Sequence, residues 1–240
     1  MPAERGHVLV LAGTREARAV LARAAGLPVL ASLAGRTAAP ADLGVPTRVG
    51  GFGGEDGFRA ALGAARAVLD ATHPFAQAMT ARAVRLCAET GTPYLRLSRP
   101  PWPLAPHWTA HPDAARCAAA LPAGARVLLA TGPGSVAPFL GRGLHLICRR
   151  VDPAPAQPGV TWLTGLPGAI AAETALMREH AITHLVAKNA GGDRAKLDAA
   201  DTLGVAVHLI DRPPPPGGEE THDIDHALAF LRRHADRDRG

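Results

Sequence analysis

The stretch HVLVLAGTRE, from His7 to Glu16, decides how the rest of the chain is read. Val8–Leu11 is an unbroken apolar run ending at Gly13, and it reads as a short strand buried on both faces. From Thr14 the period changes. Ala17, Val20, Leu21 and Ala24 recur at i, i+3, i+4 and i+7, which predicts a helix with one apolar stripe. A buried strand, a glycine turn and a helix together open a parallel α/β sheet.

The same alternation continues outward. Strands are expected at Val29–Ser32, Val68–Asp70 and Tyr94–Leu97, with an edge strand at Trp108–Ala110. The third is followed by a helix carrying Phe75, Met79, Ala83 and Leu86 on one face. The pattern restarts with strands at Val127–Ala130, Leu144–Arg149, Thr161–Leu163, His184–Ala187 and Val205–Ile210. Helices are expected near Gly168–Glu179 and Lys196–Leu203, and a last one presents Ile224, Ala227, Leu228 and Leu231 on one side. There is a faint internal echo: HVLVLAG (His7–Gly13) against RVLLATG (Arg126–Gly132), and GTPYLRLSRP (Gly91–Pro100) against GVAVHLIDRP (Gly204–Pro213). It is read as two halves of like architecture, although apolar strands also resemble one another by chance. The expected domains are residues 1–115 and 116–240, joined around Pro112–Gly124.

Composition narrows the function. Hydrophobic residues make up 47% of the 240, so a sizeable core can be buried, yet aromatics are only 4% and that core must be mainly Ala, Val and Leu. The net charge of +5 mildly favours anionic partners, but the charges are scattered and no basic block or aromatic stripe points to nucleic acid. Cys87, Cys117 and Cys148 form no Cys-x-x-Cys pair and each lies in an apolar stretch, which fits reduced buried thiols in a cytoplasmic protein. No apolar run is long enough to span a bilayer and no signal-peptide layout opens the chain.

Five segments carry candidate chemistry. Gly13 and Thr14 lie between the first strand and its helix. There a glycine lets a ligand approach the backbone and the helix N-terminus offers free N–H groups to phosphate; an ordinary turn with a Thr cap has the same letters. After the second strand, SLAGRT (Ser32–Thr37) has no acidic residue for ribose hydroxyls. Ser32, Arg36 and Thr37 suit a 2′-phosphate instead, so NADPH is expected over NADH. GGFGG (Gly50–Gly54) has more glycine than a turn needs, as for a ligand approached closely by Gly51 and Gly53 or a loop that closes. DATHPF (Asp70–Phe75) ends a strand where open parallel sheets bind ligands. It offers Thr72, His73 and Pro74, the last also suited to the first turn of the following helix. KNAGG (Lys188–Gly192) follows another strand, and Lys188 can act there as a point charge on a carboxylate or phosphate. Arg99 and Arg212, each before a proline, can reach an acidic substrate or cap a helix. Glu173 reads as a surface charge in mid-helix, and Arg149 and Arg150 the same. No His-Glu-x-x-His or cysteine cluster argues for a metal, no Gly-x-Ser-x-Gly for a hydrolase, and Tyr94 lacks a Lys four residues on.

In this order, LAGTRE (Leu11–Glu16), AGRT (Ala34–Thr37), VGGFGG (Val49–Gly54), LDATHPFA (Leu69–Ala76), LRLSRPPW (Leu95–Trp102), AKNAGG (Ala187–Gly192), KLDAA (Lys196–Ala200) and DRP (Asp211–Pro213) resemble the precorrin-6A reductase family over nearly the whole chain. Ala12 stands where that family usually has a second Gly, and Ala190 where it often has Ser. The resemblance implies two Rossmann- or flavodoxin-like parallel-sheet domains, the first binding the dinucleotide, with NADPH and the active site in the cleft between them. It implies hydride transfer to the C18=C19 bond of precorrin-6A, a tetrapyrrole polycarboxylate, giving precorrin-6B in cobalamin biosynthesis. It also allows hand-over to neighbouring enzymes of that pathway. A close branch of the family acts on the cobalt-containing intermediate with NADH. On this reading Gly13, Thr14, Ser32, Arg36, Thr37, Gly51, Gly53, Thr72 and Pro74 hold the cofactor, and His73 and Lys188 are the candidates for proton delivery. Arg99, Asn189, Gly191, Gly192 and Arg212 face the substrate, and no metal is expected. The rivals are an NADPH-sensing module without catalysis and a methyltransferase using S-adenosylmethionine.

Overall fold

A computed structural model describes residues 6–35, 42–151 and 155–235. The first stretch of chain runs β1 (His7–Ala12), α1 (Arg15–Ala22), β2 (Val29–Leu33), β3 (Thr47–Val49), α2 (Glu55–Ala64), β4 (Ala65–Ala71), α3 (Gln77–Thr90), β5 (Tyr94–Leu97), β6 (Thr109–His111) and α4 (Ala114–Ala120). The second runs β7 (Arg126–Ala130), two short 3₁₀ turns at Pro133–Ser135 and Ala137–Phe139, β8 (His145–Arg150), β9 (Val160–Thr164), α5 (Ile170–Glu179), β10 (His184–Lys188), α6 (Ala195–Leu203), β11 (Ala206–Ile210), β12 (Glu220–Thr221) and α7 (Ile224–Ala235). No described helix is long and apolar enough to cross a membrane.

The strands form two six-stranded sheets, ordered β12-β5-β4-β1-β2-β3 and β6-β11-β10-β7-β8-β9, and every pairing between them is parallel. Counted from β1 in the first sheet and from β7 in the second, both read 3-2-1-4-5-6, the strand order of dinucleotide-binding folds. The echo seen in the sequence therefore has a spatial counterpart: β1 and β7 occupy the same position in their sheets, as do β5 and β11. The sixth strand is exchanged. β6 follows β5 in the chain but pairs with β11, while β12 follows β11 but pairs with β5.

The exchange explains where the expected domain division departs from the packing. A break at residue 115 follows the repeat in the sequence, whereas the compact units are residues 1–100 with 214–240, and residues 101–213. Both crossings fall at Arg-Pro-Pro, one at Pro100–Pro101 and the other at Pro213–Pro214. The segment expected to join two domains instead contains α4, whose start is fixed by Asp113 Oδ1 accepting the backbone N–H of Arg116 at 2.7 Å. The sequence reading also omitted α2, β3 and β12. The last two are only three and two residues long, too short for a period to show.

Alternation places the core. In β1, Val8 and Val10 pack toward α1 and α7 with Val20, Leu21, Leu228 and Leu231, while Leu9 and Leu11 pack on the other face with Phe58, Leu62 and Leu86. The second unit is built the same way around Leu128, Leu185, Val207 and Leu209. Each such buried Leu contributes roughly 1.5–3 kcal/mol. The three cysteines are buried free thiols, and loss of solvent pushes Cys87 and Cys117 up to about 12 and Cys148 to about 11.

Candidate functional site

In the first sheet β1 lies between β2 and β4, and the chain leaves β1 toward β2, so the gap beside β4 is the switch point where such sheets bind ligands. Gly13 is exposed there. A Cβ placed on it would lie 3.7 Å from His73 N and 3.8 Å from Thr72 Cα, so the turn after β1 and the turn after β4 are brought together. Thr14 ties them: its hydroxyl donates to Ala71 O at 3.1 Å and accepts the N–H of Ala17 at 3.1 Å, capping α1. The N-terminus of α1 lies at this edge, with Glu16 in the first turn engaged by Arg99 at 3.3 Å.

The turn after β4 is held from below. Asp70 is fully buried; one carboxylate oxygen accepts the Tyr94 hydroxyl and the other accepts the N–H of Thr72, each at 3.0 Å. Burial and the Asp70 charge push the Tyr94 phenol above its ordinary range. Thr72 shares a hydroxyl contact with Thr80 at 3.3 Å. His73 is half-buried and its Nδ1 accepts the N–H of Phe75 at 3.2 Å. Pro74 lies in a turn closed by the bond from Ala76 N to His73 O, three residues before α3 begins, and not in the first turn of that helix as the sequence suggested.

At the ends of β2 and β3 the structure adds a residue that the sequence reading missed. Arg48 donates to Ser32 Oγ at 2.8 Å, to Gly50 O at 3.2 Å and to Gly51 O at 2.9 Å, and its guanidinium carbon lies 4.0 Å from the Phe52 ring centroid. One cation thereby joins Ser32 to the glycine loop. Gly50, Gly53 and Gly54 have φ of +113°, +71° and +107°, which a side chain resists. Open space surrounds the Cβ positions of Gly50, Gly51, Gly53 and Gly54. Arg36 and Thr37 lie outside the described residues.

The second group of candidates gathers in the second unit. Lys188 ends β10 and is half-buried. Asn189 clasps the backbone of Trp102, accepting its N–H at 2.8 Å and donating to its carbonyl at 3.2 Å. The Trp102 indole donates to Gly192 O at 2.8 Å, and the Lys196 ammonium sits 4.6 Å from its ring centroid. Arg212 donates to Asn189 O at 3.1 Å and Ala190 O at 2.8 Å. Asn189, Gly192 and Arg212 thus share one hydrogen-bonded loop with Gly191, and Trp102 is its unforeseen anchor. Arg99, by contrast, belongs to the first unit.

One sequence reading changes, and one cluster is new. Glu173 is 2% exposed and not a surface charge: it accepts two bonds from Arg149 at 2.7 and 3.0 Å and one from the N–H of Gly168 at 2.7 Å. His111, Cys117 and His208 place their ligand atoms within 4.8 Å of one another, although no metal motif announces them. The two rings share a hydrogen bond of 2.9 Å, and His184 stacks on His208 with centroids 5.4 Å apart. Burial lowers the pKa of all three imidazoles, that of His208 to about 4 with help from the charges of the other two. β6 and β11 bring the cluster together, and only the strand exchange makes them neighbours.

Comparison with known proteins agrees over nearly the full length. The family model described as precorrin-6x reductase CbiJ/CobK matches residues 7–232. The precorrin-6A reductase of Rhodococcus erythropolis is 42% identical, covering 94% of this chain and 97% of that protein. The precorrin-6A reductase of Rhodobacter capsulatus is 41% identical, covering 98% and 99%. A solved structure, CobK precorrin-6A reductase, superposes with a TM-score of 0.88 at 40% identity, covering 95% of this chain and 96% of that one.

Proposed function

The chain belongs to the precorrin-6x reductase family, and from that premise we propose that it uses NADPH to reduce the C18=C19 bond of precorrin-6A, giving precorrin-6B. The observation that carries the reading is the switch point of the first sheet, where the Gly13 turn meets the backbone of Thr72 and His73 in the turn after β4. A nicotinamide cofactor supplies the hydride, and the chain supplies orientation and a proton.

The residues fit such a group. The Gly13 turn and the first N–H groups of α1 suit a pyrophosphate. Ser32 and Arg48 at the ends of β2 and β3 present a hydroxyl and a cation where a carboxylate would select NADH, and Arg36 and Thr37, outside the described residues, supply a further cation and hydroxyl next in the sequence. Thr72, His73 and Pro74 border the nicotinamide side. With Nδ1 of His73 accepting a backbone N–H, the proton of its neutral ring lies on Nε2, the atom suited to deliver it to the second carbon. Lys188 is the other candidate donor, and Lys188 with Arg212 provides positive charge for a polycarboxylate. Asn189, Gly191 and Gly192 shape that loop.

The test mixes the protein with precorrin-6A and either cofactor and follows cofactor absorbance. Oxidation that requires precorrin-6A and runs faster with NADPH is expected, and Arg36→Ala should narrow the preference. Folded protein that binds NADPH yet oxidises none of it would remove the reductase reading. Faster turnover with NADH would remove the 2′-phosphate assignment.

A further inference from the structure

Three imidazoles form a diagonal row on one face of the second sheet. His208 of β11 stands opposite Val186 of β10 and opposite Thr109 of β6. His184 comes two residues before Val186 and His111 two residues after Thr109, so strand alternation turns all three to the same side. α4 starts just past His111 and contributes Cys117, whose side chain is closed off from solvent. His111, Cys117 and His208 each offer one ligand atom, and these atoms lie within 4.8 Å of one another. The cluster belongs wholly to the unit of residues 101–213. Apolar side chains would fill the same layer without burying a polar group, so its composition calls for an explanation.

The atoms stand close to a coordination geometry. His111 Nε2 and His208 Nδ1 are 2.9 Å apart and share a proton. Two nitrogens on one metal ion, each at roughly 2.0 Å, lie about 3.4 Å apart, so the pair opens by about 0.5 Å when a metal replaces that proton. A sulfur at roughly 2.3 Å from the same ion lies about 3.7 Å from each nitrogen, which asks at most about 1 Å of the Cys117 side chain. Burial keeps both rings neutral at pH 7, as ligation requires. The shared proton passes to the far nitrogen of its own ring, and the thiol proton leaves to solvent. That last step is a cost, because burial pushes Cys117 up to about 12, and a soft metal–thiolate bond offsets it.

We propose that His111, Cys117 and His208 form a buried site for one thiophilic late transition-metal ion, copper(I) ahead of zinc. Hard cations want oxygen ligands, and the cluster has none. Thiolate and imidazole suit both copper(I) and zinc. Two features favour copper(I). Among the described residues the cluster supplies three ligands, whereas zinc takes four. A copper(I) thiolate is neutral, whereas a zinc thiolate leaves a positive charge in the interior, which Asp113 and Asp211, acting on His111, offset only in part. His184 packs on His208 from the other side and holds its ring in place.

The experiment titrates the full chain without oxygen, with copper(I) in competition with a chromophoric chelator and, separately, with zinc. One copper(I) per chain should bind, raise the melting temperature, and show one sulfur and two nitrogen neighbours by X-ray absorption. Loss of an outer-shell partner alone costs roughly 10–100-fold in metal affinity, so loss of a ligand in Cys117→Ser or His208→Gln should cost about a hundredfold or more. Cys87→Ala and Cys148→Ala, which remove the other two buried thiols, should bind as the wild type does. If the His208 variant does not fold, Cys117→Ala in a chain of wild-type melting temperature carries the test through loss of the sulfur neighbour. Zinc binding more tightly than copper(I), with the same variants losing it, would overturn the preference for copper(I) and keep the site. Binding of neither metal to the folded wild type, or binding untouched by Cys117→Ser and His208→Gln, would leave a hydrogen-bonded histidine pair and no metal site.

Discussion

The hydroxyl of Tyr94 on β5 donates to Asp70 on β4, and the same buried carboxylate accepts the N–H of Thr72, so the sheet interior and the turn bearing His73 share one anchor. Tyr94→Phe should cost roughly 1.5–3 kcal/mol, the worth of a hydrogen bond to a carboxylate. Asp70→Ala should cost more, because it also leaves the Tyr94 hydroxyl and the Thr72 N–H without an acceptor. It should weaken NADPH binding as well, since the turn after β4 loses its support. Thermal unfolding and cofactor titration of the two variants check this; equal NADPH affinity in Asp70→Ala would separate the anchor from the site.

Arg48 holds Ser32 and the carbonyls of Gly50 and Gly51. Arg48→Met keeps the stem over Phe52 but removes every donor. The expected result is a loss of roughly 1–2 kcal/mol in stability and a several-fold rise in the Kd for NADPH, with a smaller rise for NADH. A variant whose two cofactor affinities fall by the same factor would assign Arg48 to the loop alone.

The imidazoles of His111, His184 and His208 are kept neutral by burial, and His208 has its pKa lowered to about 4 from an unfolded value near 6.5. Between these values the unfolded chain binds the extra proton, so stability should rise with pH in this window, hold above 6.5 and be lost as pH falls toward 4. His208 alone accounts for on the order of 3 kcal/mol across that range. Asp113 and Asp211 oppose the shift at His111 and soften its share. Urea unfolding from pH 7.5 to 4.5 should show the slope, and His208→Gln should flatten it.

Asn189 spends its side chain on the backbone of Trp102. Asn189→Ala should therefore lower stability by roughly 1–3 kcal/mol, before any effect on turnover is considered. Asn189→Asp keeps the acceptor, loses the donor and should fall between. A wild-type melting temperature in Asn189→Ala, with turnover reduced, would make the residue a substrate contact instead of a support.

Long elements were legible in the sequence because their periods are long enough to count: β1, α1, β4, β10 and α7 stand where apolar spacing puts them. The glycine turn at Gly13 and the strand-end position of His73 followed from the same pattern. What stayed hidden depends on partners remote in the chain. Arg48 looks like any strand arginine until β2 is laid beside β3. Glu173 looks like a solvent charge because nothing local says that β8 brings Arg149 beneath it. Trp102 and Asn189 are 87 residues apart. The domain division was misplaced for the same reason: repeats are written in the order of the chain, and pairing of β6 with β11 is not.

The exchanged strands also set an order of completion during synthesis. The unit begun first, at β1, needs β12 to cover the edge of β5 and α7 to cover the apolar face of β1 and β4. Both are made after the second unit has emerged. A nascent or truncated chain ending near residue 213 would hold a finished second unit beside a first one with a bare sheet edge and an uncovered face. Such a species is a substrate for chaperones and proteases, not a reduced-activity enzyme. Loss of the last helix is thus a defect of the first unit, felt at the opposite end of the gene from the strand that begins it.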